Sequence, residues 1–120
     1  MAGTVTVTYK RHESIKAAFI TWLSSAGGAA DGEFNMDGHI LRIVTNPDGT
    51  DVPSALWDCL LNDVDGFDLA QTLLLNRSDT LTENVVPLIN TQLVAYAGLV
   101  TVAITNAGNA KRGTITVYWR

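Results

Sequence analysis

A chain of 120 residues with 47% hydrophobic and 17% charged side chains is the size of one domain, with enough apolar surface to bury a core and too much to stay disordered. Its net charge of -4 argues against nucleic acid as a partner, because phosphate binding draws on Lys/Arg clusters, and Lys10–Arg11 and Lys111–Arg112 are only dipeptides. A lone cysteine, Cys59, excludes an internal disulfide framework, and no run approaches the ~20 apolar residues that a membrane span needs.

Taken in chain order, Met1 to Arg11 is Thr-rich and lacks the apolar stretch of a signal peptide, so the expectation is a soluble chain made in a cytoplasm. Within it, Thr4 to Tyr9 (TVTVTY) alternates with period two and predicts a half-buried strand with Val5, Val7 and Tyr9 inward. Ile15 to Leu23 has the composition of a helix, but its β-branched and aromatic content and the alternation of Ala18, Ile20 and Trp22 favour a strand. Ser24 to Asp31 (SSAGGAAD) reads as a surface loop or a mobile arm that packs against nothing of its own. Gly38 to Thr45 predicts another strand, closed by turn chemistry at Asn46, Pro47, Asp48 and Gly49.

Ala55 to Asn62 predicts a strand with Trp57, Cys59 and Leu61 on one face, ending in an Asp65–Gly66 hairpin turn. Phe67 to Leu75 has helical spacing at Leu69, Leu73 and Leu74, or is a strand followed by a short helical turn. Asn76 to Glu83 is polar loop with Asp79 or Thr80 as a cap, and Pro87 interrupts any regular element. Leu99 to Asn106 and Gly113 to Tyr118 alternate cleanly and predict an antiparallel hairpin across Ala107 to Ala110. The sum is a single all-β domain over 1–120, a compact antiparallel β-sandwich or barrel of six to eight short strands with at most a short helical turn.

Catalytic and cofactor chemistry finds no footing in these residues. The run Asp63, Asp65, Gly66, Asp68 resembles a calcium loop, yet with Gly66 at the sixth position of an EF-hand, Leu61 and Thr72 fall where the first and twelfth ligands must be carboxylates. A turn of solvated aspartates is the better reading, with weak loop-bound calcium the alternative. His12 and His39 lack zinc spacing, nothing aims a base at Cys59, and no nucleophile elbow or phosphate loop is present. The expectation is no enzyme, no cofactor and no metal.

Charge, in contrast, is segregated along the chain. Nine of the twelve acidic residues lie from Asp31 to Asp68 with Arg42 the only Lys or Arg among them, and no acid follows Glu83 while Lys111, Arg112 and Arg120 do. Either the segments form opposite poles that orient a neighbouring copy or partner, or they interleave in one sheet and cancel. Trp22, Trp57 and Trp119 add amphipathic side chains of the kind enriched at interfaces. Trp57 reads as core, and Trp119 as a contact residue or a cap on the core. The candidate interface set is therefore Trp119, Arg120, Lys111, Arg112 and Trp22.

Leu41 to Asn46 (LRIVTN), Trp57 to Asp68 (WDCLLNDVDGFD) and Val102 to Val117 (VAITNAGNAKRGTITV) resemble a group of small tailed-bacteriophage virion structural proteins. In that group an LRVVT strand precedes a Y-D-x-x-L-x-D-x-D-G-x-D turn, and an S-N-A-G-N-A-K-x-G-T-V strand pair closes the chain. Trp57 and Cys59 stand where the group more often has other apolar or aromatic residues. The resemblance implies a virion component without deciding which one. Small β-rich phage proteins of this size commonly serve as capsid decoration or cement proteins, often as trimers, and the acidic balance favours that role, a homo-oligomer on the virion surface that binds the major capsid protein or other virion proteins. Its alternatives are a neck, tail or baseplate subunit and, from a different class, a glycan or cell-surface binding module. The Ala26 to Ala30 loop is expected to become ordered on docking.

Overall fold

The structure, a computed structural model, describes residues 3–120, so Met1 and Ala2 of the N-terminal reading lie outside the described residues. Nine strands form among the described residues: β1 (Thr4–His12), β2 (Ile15–Leu23), β3 (Ala30–Pro47), β4 (Asp58–Asn62), β5 (Glu83–Val85), β6 (Leu88–Ile89), β7 (Gln92–Leu93), β8 (Ala95–Thr105) and β9 (Arg112–Trp119). All pairings are antiparallel, in the order β1-β2-β9-β3-β8-β4 with β5 on β3, and a separate β6-β7 ribbon. The expected all-β architecture is what forms.

One strand builds the sandwich. β3 is 18 residues long, far more than the Gly38 to Thr45 stretch its sequence signals, and it serves two layers. Its first half pairs with β8, from Ala30↔Ile104 to His39↔Ala95, and its second half pairs with β9, from Ile40↔Trp119 to Pro47↔Gly113. The switch occurs at Gly38 to Arg42, where the register shifts between Ile40 and Arg42, as strands do at the corners of packed sheets. Gly38 is required at this corner: its φ is +138°, and a Cβ would sit 2.6 Å from the Arg120 carbonyl oxygen.

Alternation then places side chains inside. Ala18, Ile20 and Trp22 of β2, Phe34, Met36, Ile40 and Ile43 of β3, Cys59 and Leu61 of β4, Val100, Val102 and Ile104 of β8, and Ile115, Val117 and Trp119 of β9 join one buried cluster. Trp22 and Trp57 meet at its centre with ring centroids 4.9 Å apart. β2 is thus a strand, as its alternation indicates, and Trp57, Cys59 and Leu61 share the inner face.

Several local expectations are corrected. Leu99 to Asn106 and Gly113 to Tyr118 are strands but not a hairpin, because β3 lies between β8 and β9. Alternation fixes which face of a strand is buried and says nothing of its neighbour. The connecting residues cross between layers instead, with Asn106, Gly108 and Ala110 at positive φ. That crossing also holds the Ser24 to Asp31 segment in place: Ser24 is buried, its N–H donates to Lys111 O at 2.8 Å, and Ala107 N–H donates to Gly28 O at 3.0 Å. A Gly/Ala-rich loop is small enough to be buried, and here backbone bonds fasten it. Tyr9 keeps the inward phase, paired with buried Ala18, but is 53% exposed at the open edge, where its hydroxyl accepts the Asn35 N–H at 2.8 Å and ties β1 to the free edge of β3.

Between Phe67 and Arg77 no helix or strand forms; successive turns run along the outer edge of β4. Leu69 N–H donates to Leu61 O, Cys59 N–H to Leu74 O and Arg77 N–H to Trp57 O, so the segment occupies the edge that a further strand would take. Leu69, Ala70 and Leu74 fill the core beneath it. In the next loop Ser78, not Asp79 or Thr80, is the capping residue, its Oγ accepting the Thr80 and Leu81 N–H groups. The strands β5, β6 and β7 around Pro87 have only two or three residues each and carry no alternation long enough to be read.

Candidate binding surface

The outward residues of the β1-β2-β9-β3 layer follow from the register. One row across the four strands is Lys10, Ala17, Tyr118 and Arg42, and the next is Thr8, Phe19, Thr116 and Val44. Ala17 is the small residue of its row, so a groove opens above it between Phe19, Tyr118 and Ile15, with Lys10, Arg11 and His12 on its rim and a volume of about 430 Å³. Lys10 Nζ stands 4.9 Å from the centroid of Phe19, and Arg42 Cζ stands 4.9 Å from that of Tyr118. Both rings are therefore capped by cations from the same face, an arrangement that holds the charges in place and leaves the donors outward. The open groove presents positive charge and aromatic edges; what it offers chemically is recognition of carboxylates or other anions.

The residues singled out from the sequence are not brought together. Trp22 is 1% and Trp119 is 3% exposed, and both belong to the core. Burying an indole contributes roughly 4 to 6 kcal/mol by area, which an interface would have to replace, so neither is a contact residue of this chain. The inward phase of β2 and β9 decides this, with Trp119 Nε1 donating to Asp37 Oδ1 at 3.3 Å. Arg112 opens β9, Lys111 precedes it and Arg120 lies beyond its end. Arg112 Nε lies 3.1 Å from Asp51 Oδ2, and the Arg120 backbone exchanges two hydrogen bonds with His39.

Two carboxylates of the Asp63 to Asp68 turn, those of Asp63 and Asp68, accept backbone N–H groups. Asp63 Oδ1 accepts the Asp65 and Phe67 N–H groups, Asp68 Oδ1 accepts those of Leu61 and Ala70, and Asp68 Oδ2 accepts that of Thr72. The turn forms as its Asp–Gly pair predicts, closed by Gly66 N–H on Asp63 O. No group of three or more metal-ligating side chains occurs among the described residues. Cys59 is fully buried, and desolvation, reinforced by the Asp68 and Asp58 charges, pushes its thiol well above the ordinary range and away from the thiolate.

The row of Lys10 and Arg42 escaped the sequence because it depends on β9 entering between β2 and β3, a pairing more than seventy residues distant in the chain. A second missed feature had a signal. Asp31, Glu33, Asn35 and Asp37 recur with period two, which marks an exposed polar strand face, and all four are exposed on the first half of β3. No family model, curated protein or solved structure matches the chain.

Proposed function

We propose that the chain is a structural component of a bacteriophage virion, a capsid decoration subunit that binds the major capsid lattice through protein–protein contacts. The observation that carries the reading is the combination of a closed apolar core with broad outward sheet faces whose charges lie on rigid strands. Such a body suits binding by surface complementarity. The resembling segments support the same class. Leu41 to Asn46 lies at and after the β3 corner, Trp57 to Asp68 is β4 with its turn, and Val102 to Val117 is the crossing from β8 to β9. The first and last of these span the passage between the two layers and β4 ends the β3-β8-β4 side, so what the resemblance shares is scaffold.

Copy number tests this. Quantitative gels of purified particles are expected to show the chain in numbers comparable with the major capsid protein, and particles lacking it are expected to lose heat resistance. A few copies per particle would replace decoration with a neck, tail or baseplate role. Absence from particles would overturn the virion reading.

A further inference from the structure

The two outer faces of the sandwich carry opposite charge. On β1, β2, β9 and the second half of β3, the outward positions hold Lys10, Arg42 and Arg112 and no Asp or Glu. On the first half of β3, β8 and β4, the outward positions hold Asp31, Glu33, Asp37 and Asp58 and no Lys or Arg. Arg112 is paired with Asp51 and Asp37 with Lys16, and the half-buried Asp58 accepts hydrogen bonds from Asn76 N–H and Asn106 Nδ2. That leaves Lys10 and Arg42 facing one way and Asp31 and Glu33 the other, all exposed and none in an ion pair among the described residues. A single strand sets the polarity, since β3 runs from the acidic face through the corner to Arg42 on the basic one.

We propose that the basic face of one copy docks on the acidic face of a second copy, giving head-to-tail self-association. The chain thus carries both halves of a complementary pair, and such pairs fix orientation and on-rate. A polyanion fits the basic face poorly: Lys10, Arg42 and the rim residue Arg11 neutralise few phosphates, the aromatic rings beneath Lys10 and Arg42 are already capped, and the net charge of -4 repels it. A face four strands wide and eight residues long projects about 19 by 26 Å, or ~500 Å². That is small beside the ~800 Å² per partner of a standard interface, so the contact is reversible and salt-dependent. Because the two patches differ, the contact is heterologous; it closes into a ring or runs on as a stack according to the rotation between copies. The inference does not rest on the virion reading, and copy number per particle leaves it unchanged.

Sedimentation velocity over a concentration series tests it. At low salt the wild-type chain is expected to exceed its 12.9 kDa monomer mass. Raising salt from about 0.05 M to about 0.5 M is expected to weaken association about tenfold or more. K10E/R42E and D31K/E33K should each be monomeric with unchanged circular dichroism, and their equimolar mixture should associate again, because each reversed face now complements the other. A monomeric wild type at low salt, salt-insensitive association, self-association of either variant at wild-type strength, or failure of the mixture to recover would each overturn it.

Discussion

Trp22 and Gly113 are paired across the β2–β9 ladder, and the indole packs so closely on the glycine that a Cβ there would lie 2.6 Å from Trp22 Cζ2. Close approach, not an unusual φ, makes glycine necessary here. Trp22 cannot retreat, because Trp57 stands on it at 4.9 Å. Gly113→Ala is therefore expected to cost about 1–3 kcal/mol through overpacking, read as a lower urea midpoint with unchanged slope. Gly49→Ala is the control: nothing lies within 4 Å of its Cβ position, and it should leave the midpoint in place.

Asp68 organises the segment that shields β4. Its carboxylate accepts three backbone N–H groups, from Leu61, Ala70 and Thr72. Removing it orphans donors beside the buried Leu61, Leu69 and Ala70. Asp68→Ala is expected to destabilise the chain by about 2–4 kcal/mol and to speed hydrogen exchange first at Leu61, Ala70 and Thr72. With its edge uncovered, β4 should also make the variant more prone to aggregate, and light scattering at fixed concentration would register this. Wild-type exchange rates at those three amides would refute the role given to Asp68.

What could be read in advance was the phase of each strand. Ala18, Ile20 and Trp22, then Val100, Val102 and Ile104, then Ile115 and Val117 are inward because alternation places them so. Partnership was hidden, since nothing local tells β9 to pair with β2 and β3 instead of turning back on β8. The loops misled for a related reason: Ser24 and Gly28 look mobile until residues 106 to 111 arrive to bond them. Residue type alone leaves Trp119 either a contact residue or a cap on the core and puts Trp22 in the interface set, whereas strand phase points both inward. The charged faces fell between these cases, with the acidic one legible as Asp31, Glu33 and Asp37 at period two and the basic one assembled only by non-local pairing.

Cys59 offers an independent probe of the core. It is fully buried between Trp57 and Leu61, and its thiol is held in the protonated form by desolvation. Alkylation by iodoacetamide at pH 8 is expected to be negligible in buffer and rapid in denaturant, with a rate that follows the unfolded population. Fast labelling of the native chain would mean that the β4 edge opens well below global unfolding.

Acid stability should report the seam between the layers. Asp37 has its carboxyl held below the usual range, first by the hydrogen bond from Lys16 at 2.7 Å, then by the bond from Trp119 Nε1 and the Lys16 charge. Asp48 is lowered likewise, by the Asp51 and Thr50 N–H groups that it accepts. A carboxylate whose folded value is depressed adds stability that is fully present above its unfolded pKa, near 3.8, and is lost as pH falls through the lower folded value. Stability is therefore expected to be flat in these groups at neutral pH and to decline below about pH 4. Lys16→Met removes the largest cause at Asp37, and its loss relative to wild type should be seen at pH 6 and vanish near pH 2. Because Asp37 is exposed, the difference at pH 6 should be small and should shrink further in high salt. A variant that differed from wild type equally at both pH values would show that Lys16 acts by packing its chain against Trp119 and not through its charge.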